Sequence, residues 1–274
     1  MGLCDLHIHS RYSDGTYTPL EIVEKAKAKH LDALSITDHD TTKGVDPAKL
    51  YGKEMGIRVV SGVELSAIYQ DIEIHVLGYL FDEHDKRLYT KLSQMREYRE
   101  ERARGILRKL ENYGFTVNFD FVKKLAGEGT IGRPHIAQAM LESRKITNYK
   151  EAFVKYIGNG KPCNVLKYRL NPTEAIDLMR EAGGIPVLAH PGNIRNDNFV
   201  LDLFNFPFLG IEVWHPDHTS RQIKDYLEIA EKRNLLVTGG SDSHGDIPTK
   251  ALLGGMNVDI SIVDSLIQYK ETYL

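Results

Sequence analysis

The chain has 274 residues, of which 42% are hydrophobic and 27% charged, an ordinary composition for a globular protein. Its formal net charge of -3 argues against nonspecific binding of nucleic acid, because such binding needs a basic surface. Two cysteines are too few for a disulfide framework, and no apolar run approaches the roughly 20 residues of a membrane span. We therefore expect a cytoplasmic protein without membrane contact and without a stable nucleic-acid partner.

Strands and helices alternate in the first 83 residues. Thr18-Pro-Leu-Glu21 has the residues of a capping box with proline at the first helical position, so a helix is predicted to start there. A second, shorter helix is predicted from Pro47 to Gly56. The predicted strands are 2–6, 32–37, 57–65 and 71–81. This order predicts a parallel α/β fold.

Residues 84–163 depart from this alternation, since their pattern is almost entirely helical and strongly charged. The run Arg96–Lys109 predicts a solvated helix face with paired charges. Enough apolar residues remain for the segment to pack. We therefore expect a helical insertion that divides one barrel into residues 1–83 and 164–274.

The α/β alternation resumes after the insertion. Asn171-Pro-Thr-Glu174 again has the residues of a capped helix start. The predicted strands are 185–189, 209–213, 235–238 and 255–258. A chain of this length and order is typical of a β/α barrel.

Acids and imidazoles recur where the predicted strands end. His7 and His9 lie two positions apart, so both side chains face the same side of an extended segment. Asp14 follows the same first strand. The remaining candidates follow or end later strands, except that His75 lies within the fourth: His39, Glu64, His75, His190, Asp242 and His244. Because the C-terminal ends of barrel strands meet at one rim, the sequence predicts a metal site there.

The candidate ligands are imidazoles and carboxylates, with no thiolate. This set suits Mn, Fe or Zn in a catalytic site and argues against a closed structural zinc site. Nine candidates exceed the needs of one ion, so we expect two or three divalent ions. Ions about 3.5–4 Å apart can share a hydroxide and clamp a phosphoryl group. We expect Glu64, Asp242 and His190 to hold this metal-bound hydroxide, with Glu64 as the bridging ligand.

The motifs resemble those of the PHP (polymerase and histidinol phosphatase) family, in the family's order. They are His7-Ile-His9, Thr37-Asp-His39-Asp40, Gly62-Val-Glu64, the strand with His75, Ala189-His190-Pro191 and Ser241-Asp-Ser-His244. The resemblance implies a distorted seven-stranded, TIM-like barrel with up to three ions. The implied ligand sets are His7, His9, Glu64 and Asp242; Glu64, His75 and His190; and Asp14, His39 and His244.

The insertion resembles that of a PHP subgroup acting on nucleotides, through Ile131-Gly-Arg-Pro-His135 and Gly160-Lys-Pro162. That subgroup includes nucleoside 3′,5′-bisphosphate phosphatases and enzymes that trim short RNA from its 5′ end. The resemblance implies that the insertion caps the barrel mouth and that Arg133 and His135 bind substrate phosphate. Arg133 also lies at a predicted helix start, where anions are favoured. An ion pair between Arg133 and a carboxylate is the alternative interpretation.

His215 and His218 follow the sixth predicted strand at the same rim. Two interpretations stay open for them. One is contact with the substrate phosphate or protonation of the leaving group, in which His218 would assist catalysis. The other is a purely structural role.

The ligand array predicts metal-dependent hydrolysis of a phosphate ester. The resemblance to the subgroup implies a small nucleotide as substrate, either a nucleoside 3′,5′-bisphosphate or the 5′ end of a short RNA. Histidinol-phosphate phosphatase is the alternative enzyme with the same ligands. A noncatalytic, metal-stabilised module that serves a polymerase is the alternative outside catalysis.

Overall fold

The computed structural model describes residues 2–165, 170–194, 196–247 and 251–274. Eight strands form one sheet in the order β7-β6-β5-β4-β3-β2-β1-β8. The strands are β1 Leu3–Ile8, β2 Ala33–Ile36, β3 Arg58–Tyr69, β4 Ile72–Tyr79, β5 Ile185–Leu188, β6 Gly210–Trp214, β7 Leu236–Gly239 and β8 Val258–Asp259. The predicted α/β barrel is confirmed, with eight strands in place of seven.

The sheet is nearly closed because the segment after β7 returns to β1. Ser243 forms a parallel bridge with Ile8, and its carbonyl accepts a hydrogen bond from His9 N at 2.9 Å. The buried carboxylate of Asp5 accepts two further bonds from Ser241, from N at 2.9 Å and from Oγ at 2.6 Å. The two bonds to Asp5 join the first strand to Ser241, which lies 236 positions later in the chain.

The expectation of an all-parallel sheet is wrong at two strands. β4 runs antiparallel to both β3 and β5, and β8 runs antiparallel to β1. Only Gln70 and Asp71 separate β3 from β4, both with positive φ, which is a hairpin connection. The reversal puts the first half of β4 beside the end of β3, where His75 lies opposite Ser66.

Both predicted capping boxes, at Thr18 and Asn171, are confirmed. The helices are α1 Pro19–Ala28, α2 Val45–Met55, α3 Lys86–Glu111, α4 Phe119–Ala126, α5 Arg133–Glu142, α6 Tyr149–Glu151, α7 Pro172–Glu181, α8 Asp197–Leu203, α9 Ser220–Arg233 and α10 Ser261–Tyr273. A π-helical turn, Ala152–Ile157, continues α6, and a 3₁₀ turn, Pro191–Ile194, follows β5. Within these ranges no helix combines the length and the apolar character needed to cross a bilayer.

Helices α3 to α6 have a hydrophobic core of their own. Its buried members lie between Ala103 and Cys163 and include Leu110, Val122 and Met140. The first half of α3 packs elsewhere, since Leu88, Leu92 and Met95 belong to a cluster with β3, β4 and α7. Helix α3 therefore connects the two cores. The domain boundaries at 83/84 and 163/164 stay predictions.

The solvated face expected for the charged run on α3 is wrong at two positions. Arg99 and Arg102 are only 7% and 8% exposed. The guanidinium of Arg99 lies 2.5 Å from Asp40 Oδ2 and donates to Ser66 Oγ at 2.9 Å. Arg102 Nε donates to the carbonyl of Val165 at 2.6 Å. Arg99 therefore fixes the long helix to the rim of the barrel, and Arg102 fixes it to the segment that ends the insertion.

Candidate active site

Glu64, near the middle of β3, lies at the centre of the predicted ligand array and is 1% exposed. Five imidazoles surround its two carboxylate oxygens. The distances from Oε1 are 2.6 Å to His75 Nδ1 and 2.9 Å to His190 Nε2, and those from Oε2 are 2.9 Å to His39 Nδ1, 3.2 Å to His9 Nε2 and 3.6 Å to His7 Nε2.

Two further carboxylates extend the cluster on one side. Asp242 Oδ1 lies 3.1 Å from His9 Nε2 and 3.5 Å from His7 Nε2. Asp14 Oδ1 lies 3.4 Å from His244 Nε2. All nine predicted ligands therefore lie together at the rim. Four groups have ligand atoms within 4.8 Å of one another: His9, Asp14, His39 and His244; His7, His9 and Asp242; His7, Glu64 and His190; and His39, Glu64 and His75.

Left-handed backbone turns the side chains that follow two strands. His190, two residues after β5, has φ 25°, and Asp242, three residues after β7, has φ 48°. Non-glycine residues adopt this region at a cost, and such residues concentrate at functional sites. Glu212 Oε2 accepts a bond from His190 N at 2.7 Å, which helps to hold the first of these turns.

Hydrogen bonds on the outer side of the cluster fix the imidazole tautomers. His7 Nδ1 donates to Glu212 Oε1 at 2.8 Å, and His244 Nδ1 donates to the carbonyl of Asp242 at 2.8 Å. His9 Nδ1 lies 3.3 Å from Ser13 Oγ, whose hydroxyl donates to an Asp38 carboxylate oxygen at 2.6 Å. In each ring Nε2 is then left facing the cluster, which is the arrangement of a metal-binding imidazole.

Opposite charges determine the ionisation of the central groups. Burial alone would raise the pKa of Glu64, but the imidazoles of His39, His75 and His7 hold it well below its usual range. Burial would lower the pKa of His7, yet the carboxylates of Glu212 and Glu64 hold it well above its usual range. Glu64 is therefore an ionised carboxylate in this site.

Burial dominates at two other rings. It lowers the pKa of His39 to about 4 and that of His190 below its ordinary value, although Glu64 acts in the opposite direction on both. Neutral imidazole is the form that binds a metal ion.

Several polar atoms at the centre lack a hydrogen bond of good geometry among the described residues. They are His7 Nε2, His9 Nε2, Asp14 Oδ1, His39 Nδ1 and Glu64 Oε2. A buried polar atom left without a partner costs about 1–3 kcal/mol, so five facing one another need an explanation. Divalent cations satisfy imidazole nitrogen and carboxylate oxygen together, and the residues present therefore fit a cluster of ions.

Comparisons with known proteins agree with this geometry. The family model described as "PHP domain" matches residues 5–165. The chain belongs to the PHP family.

Three curated relatives of this PHP protein have the names of phosphate-ester hydrolases. A 5′-3′ exoribonuclease of Haemophilus influenzae is 33% identical, with 98% of both chains covered. A phosphoribosyl 1,2-cyclic phosphate 1,2-diphosphodiesterase of Eggerthella lenta is 31% identical, covering 88% of this chain and 94% of the relative. A 3′,5′-nucleoside bisphosphate phosphatase of Chromobacterium violaceum is 32% identical, covering 89% of this chain and 88% of the relative.

A solved structure from Bifidobacterium adolescentis, described as a metal-dependent phosphoesterase, superimposes with a TM-score of 0.88. It is 31% identical, and the match covers 97% of this chain and 95% of that one. The predicted enzyme class is confirmed: this PHP protein is a metal-dependent phosphoesterase.

The metal cleft, as we call the space over the ligand cluster, has a volume of about 280 Å³. The barrel lines it with Asp14, His39, Glu64, His75, His190, Asn193, Asp242, His244 and Ile247. The helices α5 and α6 and the π-helical turn add Pro134, Tyr149 and Phe153. These helices therefore form the outer wall of the site.

Arg133, at the start of α5, lies beside the metal cleft and not over its centre. Its Nη1 donates to Asn159 Oδ1 at 2.6 Å, and its Nη2 lies 3.6 Å from Glu73 Oε2. Glu73 Oε1 is 3.1 Å from His75 Nε2, which connects the arginine to the ligand cluster. His135 Nδ1 accepts a bond from Gly132 N at 3.0 Å, so its Nε2 carries the proton. Phosphate binding by Arg133 and His135 stays a prediction.

His215 and His218 differ in what their nitrogens contact. His215 Nδ1 accepts from Asp217 N at 3.2 Å, so the protonated Nε2 faces the cluster, 3.6 Å from Asp242 Oδ2. His218 Nδ1 donates to the carbonyl of Val213 at 2.8 Å, and Nε2 accepts from Gly192 N at 3.2 Å. Both nitrogens of His218 are thus engaged with the main chain, and its assistance in catalysis stays a prediction.

Sequence reasoning missed Glu212, Glu73 and Ser13 as parts of the site. Glu212 is fully buried in β6, and its one sequence signal is a carboxylate within an apolar strand. Burial would raise its pKa, but His7 holds the pKa at about 2, so the carboxylate is charged. Glu73 and His75 are two positions apart on β4, so their side chains lie on the same face of the strand. This spacing was a weak signal that Glu73 belongs to the site.

Proposed function

We propose that this PHP protein hydrolyses a phosphate ester of a small nucleotide. The substrate is a nucleoside 3′,5′-bisphosphate or the 5′ end of a short RNA. The observation that carries the proposal is the buried cluster around Glu64, in which five polar atoms face one another without hydrogen bonds of good geometry. The names of two relatives, an exoribonuclease and a nucleoside bisphosphate phosphatase, support the choice of substrate.

These two substrates share one reacting group. A nucleoside 3′,5′-bisphosphate has a phosphate on each side of one nucleoside. The first nucleoside of a 5′-phosphorylated RNA has the same two phosphates, the second of which is esterified to the next nucleoside. One site that binds the terminal phosphate and cleaves at the 3′-phosphate can therefore act on both.

Two or three divalent ions, Mn, Fe or Zn, are proposed for the cluster, with Glu64 as the carboxylate that occurs in two of its four groups. The proposed ligands are the nine predicted residues: His7, His9, Asp14, His39, Glu64, His75, His190, Asp242 and His244. When bound, such ions supply an activated water and neutralise charge on the transferred phosphoryl group.

The chain's own residues position the substrate and supply a proton. The guanidinium of Arg133 can exchange its contact with Glu73 for a terminal phosphate, which it binds in a bidentate manner. His215 presents a protonated Nε2 to the cluster, so it can donate to the leaving 3′-oxygen. His218 keeps the loops after β5 and β6 together through its two main-chain bonds. A cytoplasmic location, with Cys4 and Cys163 free and buried, is part of the proposal.

The test replaces one ligand from each side of the cluster, Asp242→Ala and His9→Ala. We expect the rate on adenosine 3′,5′-bisphosphate to fall at least about a hundredfold, because changes even to residues behind metal ligands cost 10–100-fold. His84→Ala is the matched control, since His84 is exposed and outside the cluster. Full activity of both ligand variants would contradict the proposal, as would hydrolysis of histidinol phosphate in preference to nucleotides.

A further inference from the structure

A second cavity opens beside the metal cleft. Its volume is about 970 Å³, and its walls come from the loops after β1 and β7 and from α4, α5 and α6. It shares Asp14, Pro134, Tyr149 and Ile247 with the metal cleft, so the two spaces meet at one end of the ligand cluster. We call this second space the side cavity.

The two spaces differ in size and chemistry. The metal cleft, at about 280 Å³, is the smaller space, and its walls are mainly the candidate metal ligands. The side cavity has apolar walls from Leu125 and Leu141, the ring of Tyr149, and polar groups from His135 and Gln138. Apolar and aromatic walls with a few polar groups suit a nucleobase and its ribose.

Arg133 and the side cavity meet the ligand cluster at different residues. Arg133 meets the cluster through Glu73, which contacts His75. The side cavity meets it at Asp14, which contacts His244. A nucleotide with its terminal phosphate at Arg133 and its 3′-phosphate over the cluster continues towards the side cavity.

We propose that the side cavity binds the second nucleoside of a short single-stranded RNA, an inference that rests on the proposed function. This nucleoside is the one that remains attached to the phosphate after cleavage. Water attacks phosphorus, the bond from phosphorus to the 3′-oxygen of the first nucleoside breaks, and that oxygen takes a proton. The second nucleoside leaves with a 5′-phosphate. A nucleoside bisphosphate fills the metal cleft alone and leaves the side cavity without a ligand.

The test fills the side cavity by Gln138→Trp in the full-length, metal-loaded protein. Turnover of the 5′-phosphorylated dinucleotide pApA is compared with that of adenosine 3′,5′-bisphosphate. We expect kcat/KM for pApA to fall about tenfold or more, the loss expected when one stacked base is displaced. The value for the bisphosphate should change less than threefold. Calorimetry with a phosphorothioate-linked pApA should show a matching loss of affinity.

Glu142→Trp is the matched control. Gln138 Nε2 donates to Glu142 Oε1 at 2.9 Å, so both variants lose this bond, yet Glu142 is exposed and does not line the side cavity. Lys150→Trp fills the side cavity from α6 and replaces Gln138→Trp should that variant not fold. Equal loss on both substrates, or unchanged pApA turnover, would overturn the inference while leaving the proposed function standing. Absence of turnover on both substrates by the unaltered protein would overturn both.

Discussion

Glu212 shows how one buried residue determines the geometry of two candidate ligands. One oxygen accepts from the His7 ring and the other from the main chain of His190. The first bond selects the tautomer of His7, and the second holds a backbone with positive φ. The orientation of these two ligands therefore depends on a carboxylate that is outside the nine-residue cluster.

The variant Glu212→Gln tests this dependence. The amide keeps the shape of the side chain but removes the charge, and only one of its two ends can accept a hydrogen bond. We expect the affinity for Mn²⁺ or Zn²⁺ to fall about 10–100-fold, as for other residues behind metal ligands. Titration against a chromophoric chelator measures the change. Glu228→Gln, an exposed carboxylate on α9, is the control and should keep the full affinity. Equal affinities for the two variants would refute the dependence.

The sequence predicted the nine clustered residues but not Glu212, which orients two of them. The nine are acids and imidazoles that recur at strand ends, so their positions along the chain indicate a common rim. Glu212 lies within a strand, and its partner His7 is 205 positions away. Only the closed sheet brings β1 and β6 close enough for this contact, so no local pattern could have indicated it.

At the scale of elements, the sequence predicted which segments form helices and strands better than it predicted their direction. Capping boxes and apolar periodicity are local signals, and they placed α1, α7 and the strands near their observed bounds. The direction of β4 depends on the connection before it. Parallel strands need a crossover of a dozen or more residues, and the five residues between the predicted strands are too few. The short connection between the third and fourth predicted strands was therefore the sequence signal for a hairpin.

The contact of α3 with the barrel was also not predictable, because its charged face resembles a solvated helix. Arg99 and Asp40 form a buried ion pair in which the two side chains are 7% and 2% exposed. Asp40 directly follows His39 and also accepts from Ser66 N at 2.8 Å. The ion pair thus connects the long helix to the loop that carries a candidate ligand.

Arg99→Met should lower the free energy of unfolding by about 3–5 kcal/mol. Methionine fills a similar volume but leaves the Asp40 carboxylate buried without its cation. Chemical denaturation of the protein measures the loss. The double variant Arg99→Met/Asp40→Asn should lose less, because its asparagine is neutral and can still accept from Ser66. Arg108→Met on the exposed face of α3 is the control. A loss below 1 kcal/mol for Arg99→Met would contradict this account.

At the scale of the whole molecule, the ligand cluster joins the two ends of the barrel. Its members extend from His7 on β1 to His244 after β7, next to the bridge between Ile8 and Ser243. An ion bound by His9 and Asp242 would cross-link these two segments. Because such a site exists only in the folded chain, the free energy of binding adds to the free energy of unfolding.

Removal of metal with a chelator should therefore lower Tm. At an ion concentration a hundredfold above Kd the binding contributes about 2.7 kcal/mol, equivalent to roughly 5–10 °C for a chain of this size. Calorimetry before and after chelation measures the shift. His84→Ala should show the same shift as the unaltered protein, although Asp46, Glu83 and His84 form an exposed group with suitable spacing. His9→Ala should show a smaller shift in Tm on chelation than the unaltered protein.

The shift in Tm should also grow as pH rises from 6 to 8.5. Burial opposes a charge on His9, but the carboxylates of Asp242 and Glu64 raise its pKa to about 10 in the metal-free chain. This raised pKa stabilises the metal-free fold fully below the ordinary pKa of 6.5, and the contribution is lost as pH rises towards 10. A cation at Nε2 must displace the same proton, so its apparent affinity increases over that interval. This increase in affinity widens the difference between the metal-bound and metal-free proteins. A shift that is constant or decreases with pH would show that ions do not bind at His9.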